Sequence, residues 1–354
     1  MSGKPEISVC IPVYNVAPYL QQCIDSLMDQ TIDVETEYIF VNDCSTDDSG
    51  EILRRNQKLY PNKMRVLEHS ENLRQGAARN TAMEAAQGRY IGFVDSDDFV
   101  SPRIFETLYL NALETDADVT YIQYASVSAD EIYERKKLEN GGGYSPIFPW
   151  NPNLLRWHNQ ELTDEGRMDL ICYPIGGLCC GLWKKSVFET SGVKFPTKLR
   201  YEDNYFGSLT DCYLTKASFV PEVLYFYRQN PLSTTHAQNA AHQLDRIEIE
   251  RSLLREVKRR GFFERCYPAW EYLYAFRYAF NTCMMLLRTY PEPPVNVFQE
   301  VCNDLRRNFP DWRKNHYYRS ITSPTNKLRN ELLYRFPRLV ATVFPFAKKL
   351  KECH

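Results

Sequence analysis

Asp95 and Asp97 stand two residues apart, directly after the apolar run Tyr90-Ile91-Gly92-Phe93-Val94. In extended chain, residues i and i+2 share a face, so the two carboxylates point the same way. Such a pair repels itself unless a cation lies between its members. Carboxylate oxygens with open coordination positions suit Mg2+ or Mn2+ holding substrate phosphates. The competing reading is a polar loop in which Ser96 or Asp97 caps the next helix. The apolar strand that delivers the pair favours the metal. Asp43 follows a second apolar run, Tyr38-Ile39-Phe40-Val41, and Asn42. At that strand end its carboxylate can accept a hydrogen bond from a base N–H, with Pro12 and Tyr14 walling the same pocket. Ser45 or Asp47 can cap the following helix without excluding that role. Arg79 lies in an Ala-rich stretch and is either a solvated side chain or a group that steadies the acidic loop; the sequence leaves both open.

These residues need a frame. Ile7, Val9, Ile11 and Val13 read as a buried strand, followed by a helix with Tyr19, Leu20, Cys23, Ile24, Leu27 and Met28 at three- and four-residue spacing. Ser45–Ser49 offers N-caps for a second helix, Met64–Leu67 reads as a third strand, and Gly88 as the C-cap of a helix over Gly76–Gln87. Pro102 starts the next helix. Repeated strand–helix alternation predicts a mostly parallel sheet flanked by helices. In such sheets functional groups collect at the carboxyl ends of strands, and Tyr14-Asn15, Asn42-Asp43 and Asp95–Asp97 fall at those ends. A Gly/Pro break covers 139–152, and from about residue 240 the pattern is helical.

The chain has 354 residues, 44% apolar and 25% charged, as expected of a soluble globular protein and not of a disordered one. At roughly 100–200 residues per domain, that length predicts two domains or one core with a large extension. No run of 18 apolar residues predicts a spanning helix. The opening MSGKPEISVC has no apolar signal region, so the 11 Cys read as reduced cytoplasmic thiols. Without a CxxC pair a structural zinc site is not expected. Neither GxGxxG nor GxxxxGK[ST] occurs, which excludes the dinucleotide fingerprint and the P-loop. The net charge of -2 divides unevenly. Residues 1–244 hold 22 Lys+Arg against 33 Asp+Glu, a net of −11, and residues 245–354 hold 21 against 12, a net of +9. An acidic front disfavours nucleic acid as a partner, and a basic tail suits an anionic surface. In that tail, Leu332–Val340 and Val343–Lys351 mix apolar and basic residues, which predicts either peripheral membrane contact or packing on the rest of the chain.

PVYN at 12–15, VNDCSTDDS at 41–49, EN…GAARN at 71–80 and GRYIGFVDSDD at 88–98 match glycosyltransferase family 2 in order and spacing. The resemblance covers roughly residues 6–236. It implies a GT-A fold over 1–240, with a nucleotide-sugar half at about 1–125, an acceptor half at about 126–240, and a helical, basic extension at 241–354. It also implies an inverting transferase that uses a nucleotide-sugar donor, a UDP-sugar above all, and Mn2+ or Mg2+. Carried over by position, Pro12, Tyr14 and Asp43 would hold the base, with Asn15 also in the nucleotide-sugar site. Asn72, Arg79 and Ser96 would complete the donor site. Asp95 would face the ribose and metal, and Asp97 would be the metal ligand. GLWKKSVFETSGVKFPTKLRYEDNYF at 181–206 resembles the acceptor-side segment, with Trp183 shaping the acceptor site. Glu202-Asp203 would be the pair supplying the base, Asp203 foremost. YRQNPLSTTH at 227–236 is similar to a loop closing over the diphosphate, implicating Arg228, Ser233, Thr234 and His236, the last also as a metal ligand. The acceptor would be a hydroxyl of a glycan or lipid-linked intermediate in cell-surface polysaccharide synthesis, at the cytoplasmic face of the inner membrane. A sugar nucleotidyltransferase and a catalytically silent glycan-binding protein on the same fold are the alternatives.

Overall fold

The computed structural model describes residues 4–139, 141–173, 175–230 and 240–343. The chain divides into two compact units, residues 1–236 and 237–354. Unit one opens with β1 (Ile7–Val13), α1 (Ala17–Met28), β2 (Thr36–Asn42), α2 (Ser49–Leu59), β3 (Met64–Glu68), α3 (Gln75–Ala85) and β4 (Tyr90–Phe93). It continues through β5 (Phe99–Val100), α4 (Ile104–Thr115), β6 (Val119–Val127), β7 (Gln160–Glu161), β8 (Gly181–Lys184) and β9 (Lys216–Arg228), with further short helices between them. The sheet order is β3-β2-β1-β4-β8-β6-β9-β5, with β7 also on β9.

All the longer strands run the same way, as the alternating pattern predicts. β3, β2, β1 and β4 are mutually parallel, and β9 is parallel to β6. The short strands β5, β7 and β8 are the antiparallel ones. Every residue of β1 is buried, as a central strand covered on both faces requires. β5, only two residues long, was not expected; it lays Phe99 on Phe226 of β9 with ring centroids 5.5 Å apart.

Two local expectations change. The Ser45–Ser49 segment caps α1 more than α2. Ser45 Oγ, Ser49 Oγ and Asp47 Oδ2 accept from the backbone N–H groups of Asn15, Val16 and Ala17 at 3.1, 3.1 and 2.9 Å. These are the free donors of the first helix start, and the second loop satisfies them because both loops leave adjacent parallel strands. Gly88 is not a C-cap, since α3 ends at Ala85. A Cβ at Gly88 would stand 2.5 Å from the Ser8 backbone nitrogen. The glycine is there for close approach to β1.

In the second unit, helices at Asp245–Arg259, Thr282–Thr289, Val295–Asn308 and Pro324–Arg335, with a π-helical stretch at Tyr274–Asn281, surround an aromatic core. Trp312 meets Tyr318 edge-on at 4.8 Å and Phe280 at 5.0 Å. Asp304 ties this core to charge, accepting from Tyr278 Oη at 2.6 Å and Arg251 Nε at 3.1 Å.

Candidate active site

The loops after β1, β2 and β4 leave the same edge of the sheet, because those strands are parallel neighbours. Four residues that are not glycine take positive φ in the loops around that edge and at the helix start facing it: Asn15 at 52°, Cys44 at 60°, Arg74 at 71° and Tyr201 at 63°. Such backbone costs about 1–3 kcal/mol per residue and gathers at functional sites. Asn tolerates that region; Cys, Arg and Tyr give no sign of it in the sequence.

Asp43 is 2% exposed. Its Oδ1 accepts from the Leu73 N–H at 2.9 Å and its Oδ2 from the Arg74 N–H at 2.7 Å. His69 Nδ1 lies 2.7 Å from Oδ1, and His69 Nε2 lies 3.0 Å from Thr81 Oγ1. The carboxylate therefore ties the 73–74 loop to the end of β2, with His69 carrying the link on to Thr81 of α3, a role the sequence reading did not include. His69 was missed because nothing in its neighbourhood marks it. Pro12 is buried in β1, Tyr14 is 46% exposed, and Asn72 is exposed. Asn15 Oδ1 accepts from the Thr46 N–H at 2.8 Å, so that residue, too, holds loop to loop.

Arg79 is buried, and of the two roles left open by the sequence it takes the second. Its Nη2 donates to Asp95 Oδ1 at 2.7 Å and its Nη1 to Glu202 Oε1 at 2.6 Å. Gln75 Nε2 adds a 2.9 Å bond to Asp95 Oδ1. One guanidinium thus joins the strand-end acidic loop to the start of the helix Glu202–Asp211, whose preceding Tyr201 is left-handed. Burial pushes the Glu202 carboxyl up to about 7, against the pull of Arg79 and with a further push from Asp203. Asp203, one residue on, is exposed and has no hydrogen bond or ion pair among the described residues. It lies in the first helical turn, where backbone N–H groups favour negative charge.

α3 can lie this close only because residue 76 is glycine. A Cβ there would stand 2.3 Å from the Pro196 carbonyl oxygen and 3.0 Å from Glu202 Cγ. Gly76→Ala is expected to destabilise the protein by about 1–3 kcal/mol, and it should weaken the Arg79–Glu202 contact. Thermal unfolding tests this, and an unchanged melting temperature would refute the close approach.

Asp97 Oδ2 accepts from Asn230 Nδ2 at 3.1 Å. Its carboxyl is raised by burial and then by the Asp95 charge. Asp98 is buried and accepts from Tyr225 Oη at 2.6 Å and the Arg228 N–H at 2.8 Å, which pins the acidic loop to β9. Burial, then Asp97 and Asp95, push the Asp98 carboxyl well up. Ser96 is buried between them.

Two expectations are corrected. Arg228 does not face outward toward a diphosphate. It is 1% exposed, its Nε donates to the Asp97 carbonyl, its Nη1 to the Ala129 and Glu131 carbonyls and its Nη2 to Gln22 Oε1, and its guanidinium lies 4.9 Å over Phe99. Its donors are taken by the loops they hold. Trp183 is not a surface for an acceptor. It is 2% exposed in β8, edge-on to Tyr121 at 5.6 Å, because β8 lies in the middle of the sheet. Ser233, Thr234 and His236 lie outside the described residues.

Around the Arg79 and Arg228 guanidiniums stand five carboxyl groups, Asp95, Asp97, Asp98, Glu202 and Asp203. Among the described residues no three His, Cys, Asp or Glu side chains form a ready metal cage. The Asp95–Asp97 pair nonetheless fits a divalent ion that keeps open positions: Asp95 Oδ2 has no partner among the described residues, and Asp97, raised by burial and by the neighbouring Asp95 charge, is a carboxyl that a cation would favour in its charged form.

The family model described as "Glycosyl transferase family 2" matches residues 8–189. The uncharacterized glycosyltransferase EpsJ of Bacillus subtilis is 33% identical over 65% of this chain and 63% of its own, so the chain spans just under two thirds of that relative. S. aureus TarS in complex with UDP-GlcNAc superposes with a TM-score of 0.60 at 18% identity, over 93% of this chain and 91% of that one. The mannosyltransferase PcManGT from Pyrobaculum calidifontis, in complex with GDP-Man and Mn2+, superposes with a TM-score of 0.52 at 16% identity, over 95% and 88%. At these identities the structural likeness shows the shared GT-A fold alone.

Proposed function

We propose, from the premise that this chain belongs to glycosyl transferase family 2 and is a glycosyltransferase, that it transfers a sugar with inversion from a UDP-sugar to a hydroxyl of a glycan or lipid-linked acceptor. The observation that carries this reading is the division of labour at Glu202-Asp203. Glu202 is locked inward on Arg79, and Asp203 is exposed without a hydrogen-bond or ion-pair partner among the described residues. A sugar hydroxyl is a poor nucleophile at neutral pH, and a carboxylate at this place can take its proton. The acceptor oxygen then bonds the anomeric carbon from the face opposite the leaving nucleoside diphosphate. The bond to that diphosphate breaks, and the centre inverts. Glu202, through Arg79, keeps Asp203 and the Asp95–Asp97 loop in register.

Asp97, with Asp95, would hold Mn2+ or Mg2+, and a bound ion would offset the charge that grows on the leaving diphosphate. Tyr14, Asn15 and Asn72 are exposed and would meet the base and ribose, whereas Pro12 and Asp43 are buried. The TarS complex with UDP-GlcNAc and the PcManGT complex with Mn2+ support the choice of donor and ion.

Thermal stabilisation by UDP-sugars with Mn2+ tests the donor, because a ligand bound only to the folded state raises its stability. Donor hydrolysis with and without Mn2+ tests the ion. Asp97→Asn is expected to keep the parent melting temperature while losing the Mn2+-dependent stabilisation. Full metal dependence in that variant would remove Asp97 from the metal site, and the absence of stabilisation or hydrolysis with any nucleotide sugar would overturn the transferase reading.

A further inference from the structure

The helix Pro324–Arg335 and the helical residues 337–343 break the usual rule for a surface helix. Asn330, Leu333 and Ala341 are buried, so one face is turned inward. The opposite face should then be polar. Instead Leu328, Leu332, Phe336, Leu339 and Val343 are 66, 48, 51, 57 and 52% exposed. Leu328 and Leu332 share one side of the first helix and Leu339 and Val343 one side of the second piece, with Phe336 at the break between them. Pro337 begins the second piece, where the missing N–H costs nothing, and each piece carries exposed apolar residues.

Basic side chains flank this apolar stripe. Arg335 and Arg338 are exposed, and the Arg338 side chain has no partner among the described residues. The lone acidic side chain of the described part, Glu331, is already taken by Arg313 at 2.8 Å and by Arg335. Over residues 324–354 the sequence holds seven Lys or Arg against two Glu, a net of +5. Among the described residues no helix is long and apolar enough to cross a membrane. Short amphipathic helices with apolar residues on one side and Lys or Arg beside them lie in the headgroup region of anionic bilayers, where attraction to the lipid charge adds to apolar burial.

We propose that the stripe Leu328–Val343, with Arg335 and Arg338 beside it, is a docking surface for an anionic lipid bilayer. Its occupant is chosen by charge: a second copy would set these arginines against their own kind, whereas an anionic leaflet complements them. Attachment of this kind requires no catalytic residue, so it stands or falls separately from the transfer reaction.

The test is flotation of the full chain with phosphatidylcholine vesicles, with and without about one third phosphatidylglycerol, at low and high salt. The chain is expected to float with the anionic vesicles at low salt and to be released by salt. Leu332→Glu with Leu339→Glu should abolish flotation. Arg335→Glu with Arg338→Glu should reduce it at least about tenfold, since each basic residue near the surface is worth about a fivefold change in binding. All four sites are exposed, and circular dichroism with an unchanged melting temperature establishes that the variants fold. No flotation of the parent, flotation indifferent to lipid charge, or flotation unchanged in either variant would overturn the proposal. So would a dimer of the parent in light scattering that Leu332→Glu with Leu339→Glu converts to monomer, because a second copy would then own the stripe.

Discussion

Asp203→Asn is expected to bind a nucleotide-sugar donor as the parent does and to lose transfer by about 10²–10⁴-fold, the range for a removed general base. The substitution keeps the size of the side chain and removes only its capacity to take a proton. It should leave the fold unchanged, because Asp203 is exposed and bonds to nothing among the described residues. Donor affinity by thermal stabilisation and transfer by product formation must therefore separate, with kcat falling and donor binding intact. Glu202→Gln gives the contrast. Its carboxyl is buried against Arg79, so the expected cost is to stability first and to transfer only through the position of Asp203. Near-normal transfer by Asp203→Asn would place the base elsewhere. Loss of donor binding together with transfer would make Asp203 part of the donor site.

Much of this site was legible because its residues sit where regular elements end. Asp43 and Asp95 follow runs of apolar residues that could only be buried strands, and parallel strands bring their ends to one edge. The exposure of Asp203 beside a buried Glu202 also agrees with a helix start in a charged segment. What the sequence hid depends on partners far along the chain. Arg79 and Glu202 are 123 residues apart, and Asp98 and Tyr225 are 127. No local pattern predicts either bond. Arg228 and Trp183 were misread for the same reason. Both are residue types that often line ligand sites, yet β9 and β8 carry them into the interior, one to hold carbonyl oxygens and the other to pack on Tyr121. The left-handed Tyr201 was equally invisible, since its conformation is imposed by what surrounds it.

Arg79→Met is expected to be the most damaging single change to the first unit. Methionine fills much of the same space, so the loss is one of charge. Glu202, 4% exposed, would be left without a cation, and Asp95, with 29% of its side chain exposed, would lose one of its two donors on Oδ1. Breaking a buried ion pair costs about 3–5 kcal/mol, and the partial exposure of Asp95 places this case near 3. For a unit of this size that lowers the melting temperature by about 10 °C. The pH dependence identifies the cause. In the parent, burial raises Glu202 from its ordinary 4.5 to about 7. Between those values the native state holds a proton that the unfolded chain has released, so stability falls as pH rises through that window. Without Arg79 the native carboxyl rises further, and the window extends above 7. Below about pH 7 the carboxyl is protonated in both native states, so the stability gap between parent and variant should change little there, and it should widen as pH rises from 7 to 8. Adding Glu202→Gln to Arg79→Met removes the titrating group and should flatten that slope while recovering part of the loss. Melting curves of the four proteins across this range decide the matter. A gap that does not change with pH, and that Glu202→Gln does not reduce, would mean that the two side chains are not paired in solution.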